Sequence, residues 1–479
     1  MLSFERGYGF REISQFSGWT NCWENDLGLS RPCGQDAVSR IFLPNGHGER
    51  RTQAVVASVS GHEHGGPPGL RSVLARHHDF RRLFTGNSIS LLGSSVTTVA
   101  LPLTAVVQLH ASPAQMGYLG AATLLPHLVL GLPAGVWVDR MPYRRVLVIA
   151  DLVRVPLLAA IPVLAMAGWL RMWQLYVVAA AVGVGGLFES VAAQSFIPRL
   201  VPRRQLLPAN SVLMLSNATV ATTGSASGGM IVALLGGPAA LFVDALSFLA
   251  AGIWKARIRD SGAVSAPPRE RRLWRDVLEG TRAVLGHDII RAVTVAATVG
   301  ALAGQLQAVV MVLYLVRDLG LSSGLIGVVI AVGGAAGILG AALASPITRR
   351  LGPGPTFIAG MFLSSVSGVT IAMADRPRHF VWVLAVLVAG QILYGVGPSL
   401  FGVNQQTFRQ ALIAPELLSR ANATWRFLIY GMQPLGALLG GMLATMLSLQ
   451  GTLMAGSALM LAGTGIAALS PLRSLRELP

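Results

Sequence analysis

Apolar residues along this chain are gathered into long runs that are separated by short polar connections. Each run is about 20 residues long, which is the length that a helix rising 1.5 Å per residue needs to cross about 30 Å of hydrocarbon. The pattern predicts an all-α membrane protein with twelve transmembrane helices, at 84–107, 113–137, 145–167, 172–197, 207–235, 238–258, 288–316, 322–346, 354–374, 380–403, 422–446 and 452–470.

The composition argues against a water-soluble protein. Of the 479 residues, 53% are hydrophobic and 12% are charged, which is about half of the charged fraction of ordinary soluble domains. The mean hydropathy is +0.59. Because so little charge cannot cover a soluble body of this size, we expect the apolar residues to face a lipid bilayer. The 55 glycines fit this interpretation, since small residues allow membrane helices to pack closely.

The net charge of +16 would suggest a nucleic-acid partner in a soluble protein. Here most of the excess arginine lies in every second connection between the runs, so we expect no nucleic acid. Basic connections face the cytoplasm, so we expect both termini inside. We also expect the membrane to be a bacterial plasma membrane. The basic connections include Arg140, Arg144, Arg145, Arg199, Arg203, Arg204, Lys255, Arg257, Arg259, Arg349, Arg350, Arg409 and Arg420. The alternate connections carry Arg171, Arg317, Arg376 and Arg378.

The last six runs repeat the first six at an offset of 212 positions. Gln194 then falls on Gln406 and Asn210 on Asn422, and polar matches at one offset are harder to obtain by chance than apolar ones. Parallel halves of this kind are a transporter architecture with a substrate site between them near the midplane. We predict a polar, disordered extension at 1–76. Two six-helix halves follow, at 77–258 and 287–479, and a basic cytoplasmic loop at 259–286 joins them.

The connection after the second run reads Gly-Val-Trp-Val-Asp-Arg-Met-Pro-Tyr-Arg-Arg, from 135 to 145. It resembles the signature Gly-x-x-x-Asp-Arg-x-x-x-Arg-Arg of the major facilitator superfamily, and the resemblance extends over about residues 78–470. We interpret this connection as a conformational latch, in which Gly135 permits close helix packing. Asp139 would accept hydrogen bonds from a helix N-terminus and pair with an arginine while the cytoplasmic side is shut. Alternatively, Arg140, Arg144 and Arg145 are topology signals.

A second resemblance concerns the residues Gln-Ser-Phe-Ile-Pro-Arg-Leu-Val-Pro at 194–202, followed by Ala209 and Asn210. They are similar to the macrolide and siderophore exporter branch of the superfamily, as are residues 87–93 and 242–248. The resemblance implies export of a drug, antibiotic or secondary metabolite by proton antiport, and we expect a monomer. The first helix has no acidic residue, unlike that of many drug exporters in the superfamily, so proton coupling stays open.

Four of the charged residues inside the predicted helices are candidates for function, because ionisable side chains are costly in a membrane. Asp151 and Arg154 are three residues apart and share a helix face, so we interpret them as a structural ion pair that supports the latch. Glu189 lies near the cytoplasmic end of its helix, within reach of water, and could couple transport to an ion. Asp244 either carries the proton or accepts hydrogen bonds from neighbouring hydroxyl groups.

Uncharged polar residues near the midplane or in the outer half of the helices are candidate substrate contacts. Each could instead satisfy a backbone group at a helix kink. Because the helices carry few charges and much Leu, Val and Met, a large, amphiphilic, weakly charged molecule would suit the cavity. The candidates are Asn87, Ser90, Gln305, Gln391, Tyr394 and Gln433.

The chain lacks the residues that other classes of membrane protein require. An ATP-driven exporter requires a Gly-x-x-x-x-Gly-Lys-[Ser/Thr] loop, but the single lysine, Lys255, lies between Trp254 and Ala256. A membrane enzyme requires His, Asp, Glu or Ser clustered on neighbouring helix ends, and the histidines beyond the N-terminal segment are scattered. We therefore expect no enzyme, cofactor or metal site. A transporter-like sensor is the remaining alternative.

The arginine asymmetry generates a prediction of topology. Reporter fusions placed after residue 479 and within 259–286 should both report a cytoplasmic location, because both positions belong to the basic set of connections. A periplasmic signal from either fusion would contradict the twelve-helix arrangement.

Overall fold

The structure is a computed structural model that describes residues 74–202, 205–259, 273–374 and 379–477. The predicted extension at 1–76 lies outside the described residues except for its last three positions, and so do residues 260–272 of the predicted loop. The described residues form helices and connections, without a strand.

Thirteen α-helices occur among the described residues. They are α1 His78–Val107, α2 Pro113–Asp139, α3 Tyr143–Met166, α4 Met172–Leu200, α5 Leu206–Leu235, α6 Gly237–Ala256, α7 Leu273–Leu285, α8 Asp288–Leu313, α9 Ser323–Leu351, α10 Pro353–Ala372, α11 Phe380–Leu412, α12 Pro415–Met446 and α13 Leu449–Leu469. A π-helical turn, Tyr314–Asp318, extends α8. All except α7 have 20 residues or more.

Ten of the described helices are long and apolar enough to cross a bilayer. Helix α2 is an eleventh if Pro113–Gly131 and Pro133–Asp139 are taken as one span. Helix α5, with 30 residues, is the twelfth long helix and packs between α1 and α9. The prediction of an all-α membrane protein with twelve spanning helices is confirmed.

Short connections between helices are set by capping side chains and by glycine. The Ser112 hydroxyl accepts a hydrogen bond from the Gln115 backbone N–H, while the Gln115 side chain accepts from the Ser112 backbone, which fixes the start of α2. Gly236 alone joins α5 to α6, with φ of 80°. Gly352 alone joins α9 to α10, with φ of 93°. Only glycine adopts such a backbone conformation without strain.

The helix boundaries reproduce the internal repeat. Moved forward by 212 positions, the last residues of α2 and α4 fall on Leu351 and Leu412, where α9 and α11 end. The first residue of α6 falls on Leu449, where α13 begins. Each half therefore folds the same six-helix unit, and the two-half architecture inferred from the sequence is confirmed.

The two halves meet along two helix pairs, α2 against α12 and α5 against α9. Helices α2 and α12 are antiparallel and are in contact at the end of the bundle where α2 begins, which we call the closed end. A Cβ placed on Gly131 or Gly135 would meet nothing within 4 Å, so the two helices separate toward the opposite, arginine-rich end, which we call the basic end. The contacts, from the closed end inward, are Gly117–Gly441, Gly120–Ala437, His127–Tyr430 and Leu128–Gly431.

The apolar cores show the same asymmetry. At the closed end a single core includes residues of both halves, such as Leu119 and Leu175 with Leu313 and Ile326. Toward the basic end each half has a core of its own. A cleft between the halves is therefore open at the basic end. The largest side chains of the two separate cores include Phe80 and Phe196 in the first half and Phe357 and Phe408 in the second.

Candidate functional site

The first half contains a buried charge cluster, formed by Asp151 and Arg154 of α3, Glu189 of α4 and Lys255 of α6, together with Ser90 of α1. Asp151 and Lys255 are 0% exposed, Arg154 is 1% exposed and Glu189 is 6% exposed. Three helices of one half thus bring two cations and two carboxylates together away from solvent, and α1 adds a hydroxyl group.

Every charge of this cluster has an opposite charge beside it. The Lys255 Nζ atom lies 2.8 Å from Asp151 Oδ2 and 2.5 Å from Glu189 Oε1. The Arg154 Nη2 atom donates to Glu189 Oε2 at 2.9 Å. Ser90 accepts from Lys255 Nζ and donates to Asp151 Oδ1, both at 3.1 Å. Because the formal charges sum to zero, the cluster can stay ionised while it is buried.

Glycines make the room that the two long cationic side chains occupy. A Cβ on Gly86 of α1 would lie 2.7 Å from Lys255 Cγ. A Cβ on Gly185 of α4 would lie 2.1 Å from Arg154 Nε. The guanidinium carbon of Arg154 also lies 4.5 Å from the ring centre of Phe248, a cation–π contact.

Three predictions about these residues are wrong. Asp151 and Arg154 share a helix face but do not pair with each other, because Lys255 and Glu189 approach them from neighbouring helices. Glu189 is buried rather than accessible to water. Lys255 was assigned to a basic connection, yet it lies in the last turn of α6 and is fully buried. Lys255 is the single lysine of the chain and lies at the edge of an apolar run. This unusual position is the sequence feature that could have indicated a buried cation.

The repeat shows that the six-helix arrangement can be built without such a cluster. Moved forward by 212 positions, its five residues fall on apolar side chains in the second half. The same helix arrangement is therefore built there without a charge at these places. The counterparts of Ser90, Asp151, Arg154, Glu189 and Lys255 are Leu302, Leu363, Val366, Phe401 and Ala467.

Asp244 of α6 is a second buried carboxylate, and it lies nearer the closed end. It accepts a hydrogen bond from the Thr97 hydroxyl of α1 and another, at 2.9 Å, from Ser247. A Cβ on Gly93 of α1 would lie 2.1 Å from Asp244 Oδ1, so glycine permits this contact. In the second half an uncharged amide takes this place, since Gln307 donates to Ser457 at 2.9 Å.

The residues of the expected latch lie at the basic end, beside the open cleft. Asp139 accepts a hydrogen bond from the Tyr143 hydroxyl at 3.1 Å, and the guanidinium of Arg199 lies 4.5 Å from the ring centre of Tyr143. Arg140 and Arg145 are exposed, whereas Arg144 is half-buried. Gly135 has no close neighbour in this conformation, so its close packing against another helix stays a prediction for a state with this end closed.

The candidate substrate contacts divide into two groups. Ser90 belongs to the buried charge cluster, and Gln391 is buried between α9 and α11, where it would meet a Cβ on Gly333 at 2.4 Å. Neither side chain is available to a ligand in the cleft, which corrects their assignment. The others stay candidates: Gln305 lies close to Gly120 and Gly436 between the halves, and Asn87, Tyr394 and Gln433 are at least partly exposed.

Two similar six-helix halves around a cleft define a transporter of the major facilitator fold. The chain belongs to the transmembrane secretion effector family, whose model matches residues 72–478. It is 28% identical to the multidrug efflux pump Tap of Mycolicibacterium fortuitum over 396 residues, which cover 81% of this chain and 93% of that protein. It is also 28% identical over 401 residues to Tap of Mycobacterium tuberculosis strain H37Rv, with coverages of 81% and 91%.

Solved structures with the same fold include a bacterial homologue of the iron transporter ferroportin in the inward-facing state. The TM-score is 0.62 at 18% identity, and the match covers 81% of this chain and 98% of that one. The nucleoside transporter NupG matches with a TM-score of 0.60 at 13% identity, with coverages of 81% and 98%. At these identities the similarity establishes the fold alone.

The geometry of the buried charge cluster predicts the effect of removing its lysine. Lys255→Met should destabilise the protein by about 3–5 kcal/mol, because Asp151 and Glu189 would be left with Arg154 as their single buried cation. The free energy of unfolding in detergent measures this loss. Arg257→Met, which removes the same charge from an exposed side chain two residues later, should change stability by less than about 1 kcal/mol. Equal effects of the two substitutions would contradict the cluster.

Proposed function

We propose that the protein is a proton-driven exporter of amphiphilic small molecules and that the buried charge cluster couples proton movement to transport. The presence of this cluster in one half, at positions where the other half is apolar, carries the proposal. Ionisable groups that a fold does not need are retained inside membranes chiefly for function. The relatives named as multidrug efflux pumps support export. The protein would act as a monomer in a bacterial plasma membrane, with both termini in the cytoplasm.

Protonation is the step that would bias the cluster. A proton on either carboxylate of the cluster would remove a negative charge that faces Lys255, and the buried cations would then exceed the ionised carboxylates. That state is costly inside a low-dielectric interior. It would be relieved when α3, α4 and α6 move apart enough to admit water or to release the proton. Proton occupancy would therefore favour one conformation of the first half over another.

Alternating access would exchange the closed and open ends of the cleft. The contacts of α2 with α12 keep a constant antiparallel register, from Gly117 against Gly441 to Leu128 against Gly431. Extended in a straight line past the bend that follows Gly131 in α2, this register would bring Gly135 opposite Ala423. Asp139 would then reach the first turns of α12, whose N-terminal N–H groups favour a carboxylate. We propose this as the latch of the state in which the basic end is closed.

The substrate would bind in the cleft, against uncharged polar groups and apolar side chains. Gln305 lies between the halves, and Asn87, Tyr394 and Gln433 are the other candidates. A cavity with few charges and large apolar walls favours amphiphilic ligands, since burial of apolar surface supplies most of the binding free energy.

Reconstitution into liposomes tests the coupling. With an outward-directed proton gradient imposed by a pH jump (acidic lumen), the wild type should exchange lumenal protons for an external amphiphilic dye and accumulate the dye inside against its concentration gradient. A protonophore should abolish this accumulation. Glu189→Gln keeps the size of the side chain but cannot take up a proton, so it should lose uphill accumulation and retain downhill dye movement. The matched control is Asp288→Asn, which removes a carboxylate from an exposed ion pair with Arg291.

The outcomes separate the two parts of the proposal. If Glu189→Gln accumulates dye as the wild type does, coupling does not depend on the cluster. If the wild type moves none of a cationic, a neutral and an anionic dye under any gradient, the protein is not an exporter of amphiphilic molecules.

Asp139→Asn tests the latch. The substitution should leave expression and insertion intact but nearly abolish transport. A carboxylate at a partly buried helix N-terminus contributes about 0.3–2 kcal/mol, and losing about 1.4 kcal/mol shifts a two-state equilibrium about tenfold. The variant should therefore accumulate with the basic end open. In a background with Cys22 and Cys33 replaced by serine, a cysteine at Ala423 should react faster with a thiol reagent.

Two further variants provide comparisons for Asp139→Asn. Arg145→Ala should show the same bias more weakly, and Arg349→Ala, in the half that lacks the acidic residue, should show little. Normal transport and unchanged cysteine accessibility in Asp139→Asn would leave the connection as a topology signal alone.

A further inference from the structure

Arg409 is a buried cation in the last turn of α11, close to the basic end of the second half. It is 6% exposed. Its Nε donates a hydrogen bond to Asn422 Oδ1 of α12 at 3.0 Å, and its guanidinium carbon lies 3.8 Å from the ring centre of Trp425. A guanidinium does not lose its proton in proteins, so this positive charge persists in the interior.

Arg409 differs from the cations of the first half because it lacks a counter-charge. No carboxylate of the described residues forms an ion pair with it. Its Nη1 atom is buried and, in the part of the chain that the structure describes, has no hydrogen-bond partner. A buried charge without a counter-charge is unfavourable by several kcal/mol, so an anion that reached this guanidinium would be bound favourably.

Neighbouring groups add to the attraction for an anion. The indole Nε1 of Trp425 is a second buried donor without a partner among the described residues, and the amide oxygen of Gln405, one turn before Arg409, is also unpartnered. Arg426 lies within electrostatic range of Arg409 and contributes a second positive charge. The site therefore has net positive charge and two free donors, which is the chemistry that recognises carboxylate, sulfonate or phosphate oxygens.

The position of Arg426 connects this site to the cleft. On α12, Tyr430, Ala437 and Gly441 face α2. Arg426 lies one turn before Tyr430 and so on the same face, at the level where α2 and α12 have separated. Its side chain is exposed. A ligand in the cleft would meet Arg426 first and could then place an anionic group against Arg409 and Trp425.

We propose that Arg409, Trp425 and Arg426 form a binding site for an anionic group of the transported amphiphile. This inference rests on the proposed export function, and it narrows the substrate class to molecules that carry a carboxylate, sulfonate or phosphate. The first half has no equivalent site, because the residues 212 positions earlier are Ile197, Leu213 and Met214. The arrangement is thus particular to the second half and is not a requirement of the fold.

A pair of fluorescent probes tests the site directly. 8-Anilinonaphthalene-1-sulfonate carries an anionic group, and N-phenyl-1-naphthylamine has the same rings without it. The full chain would be placed in nanodiscs of phosphatidylcholine, and the dissociation constant of each probe measured. Arg409→Gln should weaken sulfonate binding about tenfold, as expected for a hydrogen bond to a charged group, and leave the naphthylamine unchanged. The control Arg349→Gln removes an exposed arginine of the same half and should alter neither probe.

Further variants and a change of lipid distinguish the possible outcomes. Arg409→Lys keeps the charge and should retain most of the sulfonate affinity. If Arg409→Gln fails to fold, Arg426→Gln provides the same comparison at an exposed position. Equal sulfonate affinity in wild type and variants would overturn the proposal. Loss of the sulfonate preference on adding phosphatidylglycerol would assign the site to a lipid phosphate and overturn it as well. Selective sulfonate binding without transport of any dye would refute the export function and leave the anion site standing.

Discussion

Charge compensation between neighbouring helices is the constraint on which the first half depends. In the buried interior, Lys255 and Arg154 are stable only because Asp151 and Glu189 meet them from other helices. These contacts link α3, α4 and α6, and Ser90 extends them to α1. The relative positions of four helices are therefore fixed by electrostatics as well as by packing. A change in the protonation of one carboxylate would therefore alter the electrostatic interactions of all four helices.

The second half solves the same packing problem without charge. Leu363, Val366 and Phe401 stand where the first half has Asp151, Arg154 and Glu189. Between α8 and α13 an amide, Gln307, replaces the carboxylate of Asp244. The halves thus share a backbone plan but differ in electrostatic character, since the first is internally neutralised and the second contains a cation, Arg409, with no described carboxylate beside it. A duplicated fold allows the two halves to differ in function, and we propose that proton chemistry belongs to the first half and ligand recognition to the second.

The sequence predicted the fold well, because length, hydropathy and arginine placement are local properties that the bilayer imposes on each helix separately. The offset of 212 positions relates the observed ends of α4 and α11, Leu200 and Leu412, although the predicted runs stop earlier, at 197 and 403. The pairing of side chains was not predictable in the same way. A spacing of three residues places Asp151 and Arg154 on one face, but their partners depend on how α4 and α6 are rotated about their axes. Lys255 was misassigned because a cation at the end of an apolar run is also a topology signal. Gln391 was misassigned because depth along a helix does not reveal which neighbour a side chain faces.

The single apolar core at the closed end has a thermodynamic consequence for the transport cycle. Opening that end would hydrate side chains such as Leu119 and Leu313, whereas closing the basic end would bring together walls that carry Arg140, Arg145 and Arg426. Exposure of apolar surface raises the heat capacity, so the conformational exchange should have a substantial heat-capacity change. A van't Hoff plot of the equilibrium constant between the two conformations would then be curved rather than linear. Membrane temperature itself would set the fraction of molecules that face each side.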